Sequence, residues 1–94
     1  MEEEPLDPPR TRAHVRAILA TGSVNFSAHA LEEMEKDQLT EIDCANVLRG
    51  GTPQPGELRN GTWRYCICTQ RIGVVVAFRS EAVLVVVTAW RIKP

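Results

Sequence analysis

The chain predicts an α+β domain, with N-terminal helices packed on an antiparallel sheet of three or four strands. Three observations lead there. Apolar residues recur at helical spacing as far as Gly50-Gly51 and alternate from Thr52 onward. Asn60-Gly61 is a strong hairpin signal, and further short turns separate β-rich runs. Ninety-four residues with 44% hydrophobic and 24% charged side chains fill one modest core, which excludes a disordered or collagen-like chain. With aromatics at 5%, aliphatic residues must supply that core.

Residues 1–9, acidic and holding Pro5, Pro8 and Pro9, read as a disordered tail before a single domain over 10–94. Thr11 to Ala20 is expected to be a helix with Val15, Ile18 and Leu19 on one side, ended by Gly22 as a C′ residue. Val24-Asn25-Phe26 is an extended link. Ser27 caps a second helix that turns Ala30, Leu31 and Met34 inward. Thr40 opens a third, with Asp43 completing a capping-box variant and Ile42, Ala45 and Leu48 as the buried face. Pro53 and Pro55 make a loop. Glu57–Arg59 is a short strand, and Thr62–Thr69, Ile72–Arg79 and Val83–Arg91 are three longer ones.

Alternation assigns the strand faces. Trp63, Tyr65, Ile67, Ile72, Val74, Val76, Phe78, Leu84, Val86, Thr88 and Trp90 form a bulky face that should meet the helices, with both tryptophans in the core. Arg64, Cys66, Cys68, Gly73, Val75, Ala77, Arg79, Val83, Val85, Val87, Ala89 and Arg91 form the other, a floor of small residues rimmed by arginine. A turn at Gln70-Arg71 sets Arg64 diagonal to Arg79. Such a face suits a phosphate backbone or an acidic segment, and an exposed Val/Ala stripe asks for a cover.

The net charge of −1 conceals an asymmetry: residues 1–48 carry ten acids and four bases (−6), and residues 49–94 seven bases and two acids (+5). Nine of the eleven bases are arginine, the better bidentate phosphate ligand. Three cysteines are an odd number, and the histidines stand far from Cys66-x-Cys68, so neither a full disulfide framework nor a four-ligand zinc site is expected. No cofactor or metal is expected; the thiols read as small apolar fillers. The longest apolar run, Ala82 to Val87, is far short of the ~20 residues that span a bilayer. Met1-Glu2-Glu3-Glu4 does not open a signal or transit peptide, so the cytoplasm is the expected location.

His29, in the first turn of the second helix, is the residue best placed to exchange a proton near neutral pH. His14, between Arg12 and Arg16, reads as a solvated helix residue. Phe26-Ser27-Ala28-His29-Ala30-Leu31-Glu32-Glu33-Met34-Glu35, then Leu39-Thr40, Val47-Leu48 and Gly50-Gly51, resemble a small bacterial family. Arg64-Tyr65, the Val-Val-Val strands and Val86-Val87-Thr88 continue the likeness, which covers roughly residues 14–91. This family is the domain of unknown function numbered 4258, similar in size and element order to RelE/ParE-like toxins and, among them, to MqsR-like mRNA interferases. Glu33 stands where the family has Arg before Met, and Asp37-Gln38 replaces its Arg-Gly.

The resemblance implies a RelE-like fold. It also implies a toxin of a type II toxin–antitoxin pair acting as a metal-independent RNA endonuclease. RNA would be its substrate and a cognate antitoxin its partner, a small zinc-finger protein being one form of it. His29 would then be base or acid, Arg64 and Arg79 would hold the phosphate, and Arg71 and Arg91 would bind RNA. Tyr65 would be an acid or a stacking group, although it alternates to the face opposite Arg64 and joins the site only if a bulge re-aims one of them. The other expectation is a non-enzymatic RelE-like module, or a decayed toxin, whose small-residue face accepts an antitoxin segment.

Overall fold

Side-chain caps set where the helices begin. Helix α1 (Pro8–Thr21) is opened by Asp7, whose carboxylate accepts the Arg10 amide at 2.9 Å, with proline in the first turn where no amide partner is needed. Helix α2 (Ala28–Lys36) is opened by Ser27, whose hydroxyl accepts the Ala30 amide at 3.0 Å. Thr40 and Asp43 form the reciprocal box at the head of α3 (Glu41–Gly50), at 2.9 and 3.1 Å. Donation from the Thr40 amide and hydroxyl holds the Asp43 carboxyl below the usual carboxylate range. The structure, a computed structural model, describes residues 3–93.

The strands are β1 (Ser23–Phe26), β2 (Thr52–Pro53), β3 (Glu57–Arg59), β4 (Thr62–Cys68), β5 (Ile72–Phe78) and β6 (Val83–Arg91). They form one six-stranded sheet in the order β1-β6-β5-β4-β2, with β3 also on β4. Strands β4, β5 and β6 are an antiparallel meander, while β1 joins β6 in parallel, Ser23 beside Val83 and Phe26 beside Val86. The sheet is therefore mixed and larger than the three or four antiparallel strands expected. The extended link Val24–Phe26 is an edge strand, too short for alternation to betray it. Strands β2 and β3 occupy successive stretches of the outer edge of β4, an edge strand interrupted around Pro53 and Pro55. The hairpin at Asn60-Gly61 forms as its residues dictate, with φ of 50° and 79° at the two positions.

The core lies between the helices and one sheet face, where Ile18, Met34, Val47 and Leu48 meet Ile67, Val74, Val76 and Leu84. Two helical faces differ from expectation. In α3 the inward residues are Cys44, Val47 and Leu48, and Ile42 is 73% exposed. In α2 Ala30 and Met34 are buried while Leu31 is half-exposed. Gly22 ends α1 in extended geometry, not left-handed: a side chain there would collide with the Ala82 carbonyl, which accepts the Ser23 amide at 2.8 Å. His14 is not merely solvated. It stacks on Phe78 at 4.3 Å, and its Nε2 lies 3.2 Å from the Glu81 carbonyl.

The expected tail also needs correction. Met1 and Glu2 lie outside the described residues, as does Pro94. The rest has a fixed place: Leu6 is 2% exposed within the core, and Pro8 and Pro9 are already helical, so the expected boundary at residue 10 falls inside α1. Composition counted prolines and acids, but one buried leucine and one capping aspartate decide the outcome.

A bulge interrupts β6. Val75 pairs with Thr88 and Val76 with Val86, leaving Val87 without a partner on β5. Its carbonyl is taken instead by the Ser27 hydroxyl at 3.0 Å, so one serine caps α2 and satisfies the bulge. The extra residue inverts every side chain beyond it. Leu84 and Val86 face the helices as expected, but Ala89 and Arg91 follow them, while Thr88 and Trp90 turn to the open face.

Candidate functional site

The helices leave the second sheet face uncovered, and the strand register brings two arginines together on it. Arg64 projects from β4, and Arg79 follows the last residue of β5. Both line a cleft of about 430 Å³ with Ser27, Thr62 and Val87. Ala77 and Val85, both buried, contribute apolar surface to the same cleft. Among the described residues neither guanidinium has an acidic partner. The Arg64 Nε is itself buried and donates to nothing. A buried guanidinium donor without an acceptor is uncommon; for the side chain as a whole, phosphate and carboxylate are the groups whose geometry a guanidinium matches.

A second cleft of about 350 Å³ adjoins the first and shares Arg64 and Val87 with it; Gln54, Cys66, Thr88 and Trp90 are among its other residues. Trp90 is 36% exposed and lies across Gly73. A Cβ built on Gly73 would stand 2.5 Å from the indole Cζ2 and 2.8 Å from both its ring neighbours. Near-equal distances to three consecutive ring atoms place the glycine under the ring face, not at its edge. Sequence reasoning missed Trp90, Thr88 and Ser27 as site residues, because simple alternation put the first two in the core.

The expected site residues separate. Arg64 and Arg79 come together. His29 sits on the first turn of α2, two residues beyond Ser27; its side chain is 62% exposed, with Nε2 3.9 Å from a Glu33 carboxylate oxygen. It does not line the arginine cleft. Arg71 is exposed in the β4–β5 turn, at the other end of β5 from Arg79, roughly 25 Å of strand away at ~3.3 Å per residue. Arg91 is turned off the open face by the bulge: its Nε donates to the Asp37 carbonyl at 2.7 Å and its Nη2 to the Gln38 carbonyl at 3.1 Å. It holds the C-terminal turn of α2, where Gln38 adopts φ 56°.

Tyr65 is fully buried on the helix side, and no bulge re-aims it. Its hydroxyl accepts the Leu6 amide at 3.0 Å and donates to the Glu4 carboxylate at 2.7 Å. Burial pushes its pKa up to about 12, with the Glu4 carboxylate acting in the same direction. A folded-state pKa above the unfolded value means that this contribution to stability is whole below about pH 10 and lost as the pH rises toward 12. It is the one tyrosine in the chain, so tyrosinate absorbance reports it alone. We expect a native midpoint near pH 12 that falls toward 10 in denaturant. A native midpoint at the ordinary value would contradict the buried placement.

All three cysteines are free. Burial pushes the Cys44 thiol up to about 11. Cys66 is raised by burial and then by neighbouring Cys68, both half-buried on the open face. Among the described residues no three His, Cys, Asp or Glu side chains gather as metal ligands, and no helix is long and apolar enough to cross a membrane.

No curated protein and no solved structure matches the chain. The family described as a domain of unknown function (DUF4258) matches residues 26–91. The matched segment begins one residue before the Ser27 cap and ends on the Arg91 clamp. It contains α2, α3, strands β2 to β6, and both arginines of the cleft. With 66 of its 94 residues so matched, the chain belongs to the DUF4258 family.

Proposed function

We propose that the chain is a RelE-like toxin of a type II toxin–antitoxin pair, acting in the cytoplasm as a metal-independent RNA endonuclease. The observation that carries this reading is the pair Arg64 and Arg79 in one cleft, neither with an acidic partner among the described residues. An RNA strand laid on the open face would set a phosphate between them. In the reaction the 2′-oxygen attacks phosphorus, the bond from phosphorus to the 5′-oxygen breaks, and a 2′,3′-cyclic phosphate and a 5′-hydroxyl result. One proton leaves the 2′-hydroxyl and one reaches the departing oxygen. The two guanidinium groups stabilise the charge that builds on the phosphate. His29 stands outside the cleft, two residues beyond Ser27 in its wall, so in this reading it exchanges one proton through an intervening water, and solvent serves the other. Tyr65 takes no part, and neither does Arg91.

Induced expression of wild type beside His29→Ala tests this. Wild type should arrest growth and fragment RNA. The variant should lose ~10²–10⁴ in cleavage rate, as removal of a general acid or base does, with its thermal midpoint unchanged. Purified protein should cleave in EDTA. Unarrested growth with intact RNA in the wild type would overturn the reading.

One observation favours a second reading: among the described residues the cleft gathers two cations but no titratable base. A non-enzymatic module would use the same arginines to hold an acidic antitoxin segment. A zinc-finger antitoxin gene next door would support the toxin; tight partner binding without RNA cleavage would support the module.

A further inference from the structure

We infer that the Trp90 cleft is a nucleobase subsite, which takes one unpaired base of a single-stranded RNA whose phosphate lies on Arg64 and Arg79. This deepens the proposed function and rests on it. The indole is held flat by Gly73 beneath it, so its opposite π face is available for stacking. A base–aromatic stack needs such a rigid, half-exposed ring and no particular base identity.

The surroundings suit a base. Two charged residues stand at the cleft besides Arg64, and they neutralise each other: Arg59 donates to a Glu57 carboxylate oxygen through Nε at 3.1 Å and contacts it through Nη2 at 3.0 Å. The cleft is thus not closed to a polyanion. Thr88 and Gln54 add a hydroxyl and a side-chain amide at its wall, groups able to bond a base edge. At about 350 Å³ it is at the small end of ligand sites, of a size for one base and not a stacked run. Arg64 borders both clefts, so adjoining parts of one nucleotide can occupy them together. A duplex cannot use this arrangement, because its paired bases keep their faces stacked on each other. The bulge at Val87 creates the subsite, since without it the indole would point into the core.

The test uses 2′-O-methyl RNA, which lacks the nucleophile and so reports binding alone. In a Trp63→Phe background Trp90 is the only indole; should that variant not fold, wild type against Trp90→Phe gives the same difference. Single-stranded oligonucleotide should quench the Trp90 fluorescence. An abasic strand of equal length should bind about 5- to 150-fold more weakly, the worth of one stacked base. Trp90→Ala should show a similar loss for the base-bearing strand, and Trp90→Phe should keep most of the affinity. Gly73→Ala, which lifts the ring from the sheet, should lose affinity while Trp90 is still present.

Equal binding of abasic and base-bearing strands would overturn the subsite and leave the phosphate cleft standing. Preference for the duplex would do the same. If none of the strands binds, the subsite falls together with the RNA reading.

Discussion

Reversing both charges of the cleft, Arg64→Glu with Arg79→Glu, is expected to weaken single-stranded RNA binding by more than about 100-fold and to abolish growth arrest. Each arginine that neutralises a phosphate releases condensed counterions, and on a single strand each contact contributes about 0.7 to the salt slope. Losing two contacts should lower that slope by about 1.4, and the two carboxylates add repulsion. The secondary structure should persist, because Arg79 lies beyond the end of β5 and is exposed and Arg64 is only half-buried on the face away from the helices. Titrations at several salt concentrations, with circular dichroism on the same samples, measure both. A variant that keeps the slope and the arrest would move the RNA to another surface. The same substitutions should weaken the antitoxin complex if its segment covers this face.

The largest effect on stability is expected at Leu6. Removing a buried leucine side chain typically costs about 2–5 kcal/mol, against a total of about 5–15 for a domain. At about 4–8 °C per kcal/mol for a domain of this size, Leu6→Ala should lower the thermal midpoint by roughly 8–40 °C. Deleting residues 1–7 removes more: the leucine, the Asp7 cap, and the amide and carboxylate that satisfy the Tyr65 hydroxyl. That chain should not hold a folded state at 37 °C. A loose acidic tail would predict no change in either variant, so one thermal scan separates the two.

Tyr65 and Leu6 show why this part of the molecule was hard to read. The residues were visible, but their meeting spans 59 positions and leaves no local periodicity. Signals within one turn were legible instead: the caps at Ser27 and Thr40, the Asn60-Gly61 hairpin, and the switch to alternation after Thr52. The pairing of Arg64 with Arg79 was legible because strands β4 and β5 alternate without interruption. Past Val87 the same rule failed by one residue and exchanged Trp90 with Arg91. No residue type marks that bulge in the sequence. Its stabiliser, the Ser27 hydroxyl, lies 60 positions away and also caps α2, a role that by itself accounts for a serine there.

The parallel pairing of β1 with β6 orders the assembly of the chain in time. Residues 23–26 are synthesised early, yet their partners are residues 83–86. Helix α2 packs on β6 as well, and β6 lies between β1 and β5. Until the segment to Arg91 leaves the ribosome, Val24, Phe26 and Met34 have no sheet to settle against. Such distant contacts must close large loops before they reward the chain, which slows folding and leaves apolar surface open to chaperones and proteases meanwhile. A polypeptide stalled before residue 83 would lack both the surface that α2 covers and the bulge that turns Trp90 outward. Any action of the open face, the proposed one on RNA included, therefore waits until translation has passed β6, and copies that stop short lack the completed face.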